Sequence, residues 1–337
     1  MAVPQARFTE LLEDIEPSKT TTTRASGGHT GIRDHLRTQA QFKSRYVSSF
    51  LSGSYARSTC IRPRSTAEGV ERPDVDIIVV TNFTTDDHPD NVLREVSRAL
   101  LDGGNGYPVE RINKRSVRVE TWQADMDIVP VLSTGNGYMI PDRDTGSWKF
   151  TNPPVHTDWS ANQNQRFSGR FKPLVKLFKW WRRINPSGRR PKGFVLEVLA
   201  ARHAPTAETH YGEAFAQLLA NIYGAYAWMA VNNQKPVIAD PADPSNDILG
   251  KVTVAQWKDF IEKVRVYADV ARRAQDATDM DEATRLWRRV FGDRFKYTAN
   301  PARAANYGGF AAAAPVGAGY TFPDSMAAPV NKPRGFA

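Results

Sequence analysis

Apolar residues in the first half of the chain fall in short runs rich in β-branched side chains, which is the pattern of buried strands. The clearest run, residues 74–80 (DVDIIVV), is long enough to form a central strand. Residues 116–122 and 125–132 predict two further strands that pair across a tight connection. A shorter strand is predicted at residues 47–51, shortly before a Gly-Ser turn.

The segments around these strands predict helices and one long loop. An amphipathic segment surrounds Phe8 and Ile15, and the small, polar residues 17–31 predict a loop after it. Helices are predicted at residues 32–45 and 89–101.

Beyond residue 150 the apolar positions recur every three or four residues, which predicts amphipathic helices. These helices are expected at residues 173–184, 194–201, 211–231, 254–274 and 282–291. An α/β half therefore precedes an all-helical half, and the fold class is α+β.

These patterns predict four parts of the chain. We expect an N-terminal segment (1–30), a sheet-containing core (31–150), a helical domain (151–297) and a tail (298–337). In residues 299–337, 22 are Ala, Gly or Pro. Such a composition buries too little apolar surface to offset the cost of chain ordering, so the tail is predicted to be flexible.

The charge of the chain is concentrated in one place. There are 45 Lys and Arg against 36 Asp and Glu, a net charge of +9. Ten basic residues and no acidic one lie between Arg166 and Lys192, which leaves 35 basic against 36 acidic residues elsewhere. This distribution excludes a generally polycationic coat or histone-like protein and indicates one local demand for positive charge.

Other features exclude classes of site and location. The single cysteine, Cys60, excludes an internal disulfide and a multi-cysteine zinc site, and the six His lack a ligand spacing. No stretch approaches the roughly 18 to 20 apolar residues that a membrane-spanning helix needs. We therefore expect a cytoplasmic protein that does not engage a membrane.

Two pairs of carboxylates carry the candidate chemistry. Asp74 and Asp76 lie two residues apart in a strand, so their side chains share one face, and Asp125 and Asp127 repeat the arrangement. Neighbouring carboxylates at the mouth of a buried strand repel each other unless a cation lies between them, which favours a divalent metal site. Exposed charges at a strand end are the alternative.

If the two strands are neighbours, one carboxylate of the second pair completes a triad that could bind two Mg²⁺ for phosphoryl or nucleotidyl transfer. Strand alternation does not choose between Asp125 and Asp127. We prefer Asp127, because it leads directly into a buried run as Asp76 does. Gly53 permits close approach to a ligand, and Ser54 with the following amides could hold a triphosphate.

The order of Gly-Ser, Asp-x-Asp and a third Asp on a neighbouring strand resembles the nucleotidyltransferase superfamily of DNA polymerase beta type. The segments GSYARSTCI, DVDIIVV, DIVPV, and KLFKWWRRINP followed by GFVLEVL are similar to the bacterial CD-NTases, relatives of cyclic GMP-AMP synthase that signal in CBASS anti-phage operons. The resemblance implies a polymerase-beta-like core, with a mixed sheet and flanking helices, followed by a helical lobe. It also implies an active site in the cleft between them.

The resemblance assigns roles to the motif residues. Gly53 and Ser54 would grip the phosphates of the donor nucleotide. Asp74 and Asp76 would bind two Mg²⁺, with Mn²⁺ as an alternative ion, and Asp127 would bind the ion that activates the acceptor hydroxyl.

Further nucleotide contacts are implied in the second half. The family has a lysine on the long helix that reaches the donor triphosphate, and this sequence offers Lys176 and Lys179. Phe194 would supply a ring against a base, whereas the preceding Ser of the family is Gly193 here. Charged helix faces are usually only solvated, and this is the alternative for the outer arginines of the segment.

The leading hypothesis is an enzyme that makes a cyclic di- or trinucleotide second messenger from NTPs, ATP among them, and releases pyrophosphate. The product would act on a downstream effector in anti-phage defence. A template-independent transferase that makes linear oligonucleotides or extends RNA would share the same carboxylates. A catalytically inactive nucleic-acid-binding module is the alternative from another class, and the near-neutral remainder offers no second basic surface from which to argue activation by nucleic acid.

The tail resembles the substrates of ubiquitin-ligase-like proteins found in some CBASS operons. Those proteins join the C-terminus of the synthase to a target, and the tail here ends in Gly335, Phe336 and Ala337. Simple disorder is the alternative.

Overall fold

The computed structural model describes residues 3–66, 69–104, 106–188 and 190–297. These residues form two compact units. We call Pro17–Asp158 the sheet unit, and we call the residues up to Glu16 together with those from Trp159 onward the helical unit. The predicted tail, 298–337, lies outside the described residues.

The first elements in chain order are α1 (Gln5–Ile15), α2 (Lys19–Thr38), β1 (Tyr46–Ser52), α3 (Gly53–Ala56), β2 (Ser65–Thr66), β3 (Gly69–Val70), β4 (Asp74–Thr81), α4 (Pro89–Leu101), β5 (Val109–Ile112), β6 (Val117–Glu120), β7 (Asp125–Thr134), β8 (Gly137–Asp142) and β9 (Ser147–Thr151). They are followed by α5 (Pro153–Arg166), α6 (Phe171–Ile184), α7 (Gly193–His203), α8 (Tyr211–Val231), β10 (Ala239–Asp240), β11 (Asp243–Asp247), α9 (Val254–Asp276) and α10 (Met280–Phe291).

The sheet unit is built on a mixed sheet, as predicted. Among the described residues its strand order is β1-β4-β7-β6-β5, and β8 and β9 extend it from β7. β4 and β7 run parallel, whereas β6 and β7 form the predicted antiparallel pair. β5, β8 and β9 were not predicted, because partly exposed strands such as β9 lack a continuous apolar run.

The two faces of the sheet differ. Alternate residues of β4, such as Val75 and Ile77, pack into the main core of this unit together with Ile32 of α2 and Val96 of α4. The opposite face carries a smaller apolar cluster made of Ile78, Val80, Val129 and Val131. The residues that precede this smaller cluster on β4 and β7 are the predicted carboxylates, so they lie on the face away from the main core.

The predicted loop at residues 17–31 is wrong, because α2 begins at Lys19 and continues to Thr38. The Ser18 hydroxyl caps its first turn by accepting from the Thr21 amide at 3.0 Å. A side chain at Gly28 would place Cβ only 2.3 Å from Cε of Met126, so the small residues let the helix approach the sheet closely. Packing therefore outweighs the weak helix propensity of this Thr- and Gly-rich segment.

The helical unit has the predicted helices α6 to α10, and α8 spans the predicted residues. Its core is aromatic, with Trp181, Trp257, Phe215 and Phe260 fully buried. α5 was not predicted, because its sequence has no marked apolar face. None of the described helices is both long and apolar enough to cross a membrane.

Candidate active site

Four carboxylates meet on adjacent strands of the sheet unit, because β4 and β7 pair in parallel with these residues in register. The residues between them, Val75 and Met126, are fully buried in the core on the other face. We call this group the carboxylate cluster, and its facing pairs are Asp74 with Asp125 and Asp76 with Asp127.

Asp76 is the member of the cluster whose ionisation is most disfavoured. Burial raises the pKa of Asp76 to about 6, and the charges of Asp74 and Asp127 add to the shift. Arg57 and Arg118 act in the opposite direction without cancelling it. Burial and the two neighbouring carboxylates therefore both disfavour the ionised form of Asp76.

Arg118 is the cation that lies among these carboxylates. Its Nη1 donates to Oδ1 of Asp74 at 2.7 Å and to Oδ2 of Asp127 at 2.7 Å. Its Nη2 donates to Oδ2 of Asp125 at 3.0 Å. Arg118 was not predicted to be a site residue. The predicted hairpin nevertheless indicated it, because a register that pairs Glu120 with Asp125 also pairs Arg118 with Asp127.

The other oxygen of Asp127 is held by the turn between β5 and β6. Oδ1 accepts from Nδ2 of Asn113 at 3.0 Å and from Oγ of Ser116 at 2.8 Å. Both partners are missing from the predicted site: Asn113 lies outside the predicted elements, and Ser116, the first residue of the predicted strand 116–122, carries no motif that would mark it as a site residue. These bonds restrict the rotation of the Asp127 carboxylate.

The same turn is anchored to Asp142, whose side chain is fully buried. Lys114 Nζ lies 3.1 Å from Oδ1 of Asp142, and Arg115 Nη2 lies 2.8 Å from Oδ2. Burial alone would raise the pKa of Asp142, but the bonds from Arg115 and Lys114 outweigh it and lower the pKa to about 2. Asp142 is therefore a compensated structural carboxylate behind the site.

Gly53 lies against the carboxylate cluster at the end of β1. Its φ of +69° is in the left-handed region, and Ser52 pairs with Asp76 across β1 and β4. A Cβ at Gly53 would lie 1.7 Å from Oδ2 of Asp76, so there is no space for a side chain. The backbone conformation also disfavours any residue other than glycine. Ser54 follows in α3, next to this contact.

Lys176 and Lys179 lie on α6 in the helical unit, and each has a carboxylate partner there. Lys176 Nζ donates to Oε1 of Glu16 at 2.7 Å, and Lys179 Nζ donates to Oε1 of Glu197 at 2.8 Å. The Glu197 side chain is fully buried, whereas that of Glu16 is 40% exposed. The ion pair of Lys179 is therefore more buried than that of Lys176.

Phe194 lies in the first turn of α7 and is half-buried. Its ring and that of Trp159 form a T-shaped pair with a centroid separation of 6.0 Å. At the preceding Gly193, a Cβ would lie 3.3 Å from Cε of Lys179. The absence of a side chain at Gly193 leaves room for the Lys179 stem.

Arg182 of the basic segment has a structural role. It is one of the outer arginines for which simple solvation was the alternative, but it is buried. Its Nη2 donates to the backbone oxygens of Gly188 at 2.9 Å and Arg190 at 2.7 Å. It therefore fixes the connection between α6 and α7, and simple solvation does not describe this residue.

Comparison with known proteins decides the family. Residues 1–164 match the Second Messenger Oligonucleotide or Dinucleotide Synthetase domain. The chain is 45% identical to the cyclic AMP-AMP-AMP synthase of an Acinetobacter strain over 340 residues, which cover 99% of this chain and 97% of the relative. The chain belongs to the bacterial CD-NTases.

Solved CD-NTase structures agree in fold. CdnG of Bradyrhizobium diazoefficiens, solved with GTP, superposes with a TM-score of 0.69 at 18% identity and covers 87% of this chain and 96% of its own. CdnC of Escherichia coli, solved with ATP, gives 0.68 at 19% identity over 87% of this chain and 99% of its own. The sheet with flanking helices and the helical C-terminal region are thus those of a CD-NTase.

Membership establishes the general activity. This CD-NTase is a nucleotidyltransferase that makes a cyclic oligonucleotide second messenger, and the family implies a role in CBASS anti-phage defence. The family also implies dependence on a divalent metal, and a two-metal mechanism is typical of it.

The carboxylate cluster fits such a metal in chemistry and charge. Its donors are oxygens, the ligands that Mg²⁺ prefers, and the raised pKa of Asp76 marks negative charge that a cation would offset. Within the described ranges, no three acidic, His or Cys side chains converge as a metal site does. Arg118 lies between Asp74 and Asp127 instead.

Proposed function

We propose that this CD-NTase joins adenylate units from ATP into a cyclic trinucleotide and releases pyrophosphate. The observation that carries the proposal is the 45% identity, over nearly the whole of both chains, to a cyclic AMP-AMP-AMP synthase. The product would reach a downstream effector of the defence system.

We assign the metal to Asp74, Asp76 and Asp127. When bound, two Mg²⁺, or Mn²⁺ in their place, would lower the pKa of the acceptor hydroxyl and offset charge on the reacting phosphate. Support for Asp127 over Asp125 comes from its fixed orientation, since Asn113 and Ser116 hold one oxygen. Asp125 receives bonds from Arg72 and Arg118, and the second of these arginines also donates to Asp127.

We assign the donor phosphates to Gly53 and Ser54. The close approach of Gly53 to Asp76 supports this, because it sets the Gly-Ser turn directly beside the proposed ligands. A backbone without a side chain lets a phosphate come near both the turn and the carboxylates.

For the triphosphate we favour Lys176 over Lys179. The partner of Lys176 is partly exposed, whereas the partner of Lys179 is fully buried. Separating Lys176 from a partly exposed partner costs less than separating Lys179 from Glu197, whose carboxylate is fully buried. Lys179 would then position α7, including Phe194, which we assign to a nucleobase.

Product analysis tests the proposed function. The purified full chain is incubated with four labelled NTPs and Mg²⁺ or Mn²⁺, treated with phosphatase and analysed by mass spectrometry. A phosphatase-resistant cyclic adenine trinucleotide is expected, because a cyclic molecule has no terminal phosphate. A phosphatase-sensitive product would indicate a linear oligonucleotide, and a product with other bases would contradict the assignment of ATP as sole substrate.

We also propose that the tail is a site of covalent conjugation by a ubiquitin-ligase-like protein. The support is the small-residue composition of residues 299–337, of which 22 are Ala, Gly or Pro. Deletion of Phe336 and Ala337 should abolish the conjugate on a denaturing gel and leave nucleotide synthesis unchanged. An unchanged conjugate band would refute this proposal.

A further inference from the structure

We propose that Arg118 is a resident counter-ion that competes with the divalent metal for Asp74 and Asp127 and so sets the metal affinity of the site. This inference rests on the proposed assignment of those two residues as metal ligands. It concerns a positioning residue of the chain itself.

The geometry places one nitrogen on both proposed ligands. Nη1 of Arg118 lies 2.7 Å from Oδ1 of Asp74 and 2.7 Å from Oδ2 of Asp127. Hydrogen bonds between a guanidinium and carboxylates are strong, since both partners are charged. A metal that takes these oxygens must replace these bonds.

The other side of the guanidinium contacts residues outside the proposed ligand set. Nη2 lies 3.0 Å from Oδ2 of Asp125, and Nε lies 3.4 Å from Oε2 of Glu110. Arg118 can therefore give up Asp74 and Asp127 while its charge stays paired and its strand position stays unchanged. This two-sided bonding distinguishes an exchangeable counter-ion from a purely structural ion pair.

The neighbours of the cluster support an exchange role. In β6 the Arg118 side chain is 15% exposed, and its opposite residue in the ladder is Asp127 itself. Sheet register thus fixes the backbone of Arg118 beside Asp127, while the side chain can change its partners. In the absence of a metal, the positive charge of Arg118 reduces the repulsion between the carboxylates. A bound metal ion would reduce that repulsion in its place.

Mn²⁺ binding in the absence of nucleotide tests the inference directly. Free Mn²⁺ is measured by electron paramagnetic resonance during titration of the full chain, wild type and Arg118→Gln. Arg72→Gln is the matched control, because this substitution removes the same charge nearby. Arg72 pairs with Asp125 at 3.3 Å and with Glu120 at 3.5 Å. Arg118→Gln is expected to tighten Mn²⁺ binding by about tenfold or more, since a competing unit charge is removed at contact distance.

The control and a ligand variant separate the outcomes. Equal or weaker Mn²⁺ binding by Arg118→Gln, or the same tightening in Arg72→Gln, overturns the inference. Asp127→Asn reports on the metal assignment alone: if it binds Mn²⁺ as the wild type does, the proposed ligand set is wrong, and the inference falls with it. If Asp127→Asn loses Mn²⁺ binding and Arg118→Gln does not bind Mn²⁺ more tightly, the metal assignment stands and the role of Arg118 is refuted.

A measurement on the wild type covers the case in which Arg118→Gln does not fold. The guanidinium NH signals of Arg118 are followed by ¹⁵N NMR during addition of diamagnetic Mg²⁺. We expect these signals to shift and their protons to exchange faster as Mg²⁺ binds Asp74 and Asp127. Signals that stay unchanged while Mg²⁺ saturates the protein would contradict it.

Discussion

Two acidic residues in the sheet unit, the half-buried Asp76 and the fully buried Asp142, show opposite electrostatics. The pKa of Asp142 is lowered to about 2 because Arg115 and Lys114 outweigh its burial. The pKa of Asp76 is raised to about 6 by burial and by two further carboxylates. The same unit thus compensates one carboxylate with two cations and leaves the other in a surplus of negative charge.

The difference separates a structural role from a functional one. Asp142 fixes the turn that presents Asn113 and Ser116 to Asp127, so its compensation serves rigidity. We expect the carboxylate cluster to attract a cation, because burial and the charges of Asp74 and Asp127 both disfavour ionised Asp76. A nucleotidyltransferase needs both: an acidic centre for the metal and a rigid frame that aims it.

The largest expected effect distinguishes the two carboxylates of β7, Asp125 and Asp127. Asp127→Asn should lower the rate of pyrophosphate release by about 10³-fold, since it removes a ligand of a metal that supplies several kcal/mol. Asp125→Asn is the matched control and should retain most of the rate. The rates are compared at saturating ATP and Mg²⁺, and the reverse ranking would show that Asp125 is the third ligand.

Removal of the compensated carboxylate should act on stability. Asp142→Ala is expected to lower the free energy of unfolding by about 3 kcal/mol, because it leaves the Lys114 and Arg115 charges without their buried partner. Asp144→Ala is the control, since Asp144 is 61% exposed and pairs with the same lysine, and it should cost about 0.5 kcal/mol or less. Urea unfolding measures both, and equal costs would place Asp142 among ordinary surface charges.

A smaller effect is expected from acid. The folded-state pKa of Asp142 lies below its unfolded value, so its stabilisation is present above about pH 4 and is lost as the pH falls toward about 2. The contribution lost is up to about 2 kcal/mol. Wild type and Asp142→Asn are compared by urea unfolding between these pH values. Their difference in stability should shrink as the pH falls, and a constant difference would argue against a lowered pKa.

The sequence was sufficient for the strands that carry the carboxylates but not for what surrounds them. The runs that follow Asp76 and Asp127 are continuous and apolar, so both strands could be predicted, and the parallel register brings the two residues together. Strand alternation could not choose between Asp125 and Asp127. That choice depends on hydrogen bonds from a turn without periodicity.

Other parts depend on contacts between residues that are far apart in the chain. The partner of Lys176, Glu16, is 160 residues away, so no local pattern indicates the pair. Arg118 in an alternating strand looks like an ordinary exposed charge until the register sets it against Asp127. The helix over Thr- and Gly-rich residues was missed because packing of Gly28 against Met126, not propensity, supports it.

The contrast between Asp76 and Asp142 is tested most directly by Asp76→Asn in the full chain, with pyrophosphate release and melting temperature both measured at pH 8. Because the folded-state pKa of Asp76 is raised, its ionised form opposes folding at this pH when a chelator removes divalent metal. The variant should therefore lose product formation and melt, in chelator, at the same temperature as the wild type or higher. Turnover like that of the wild type would contradict the assignment of Asp76 to the metal site, and a lowered melting temperature would show that Asp76, like Asp142, is a structural carboxylate.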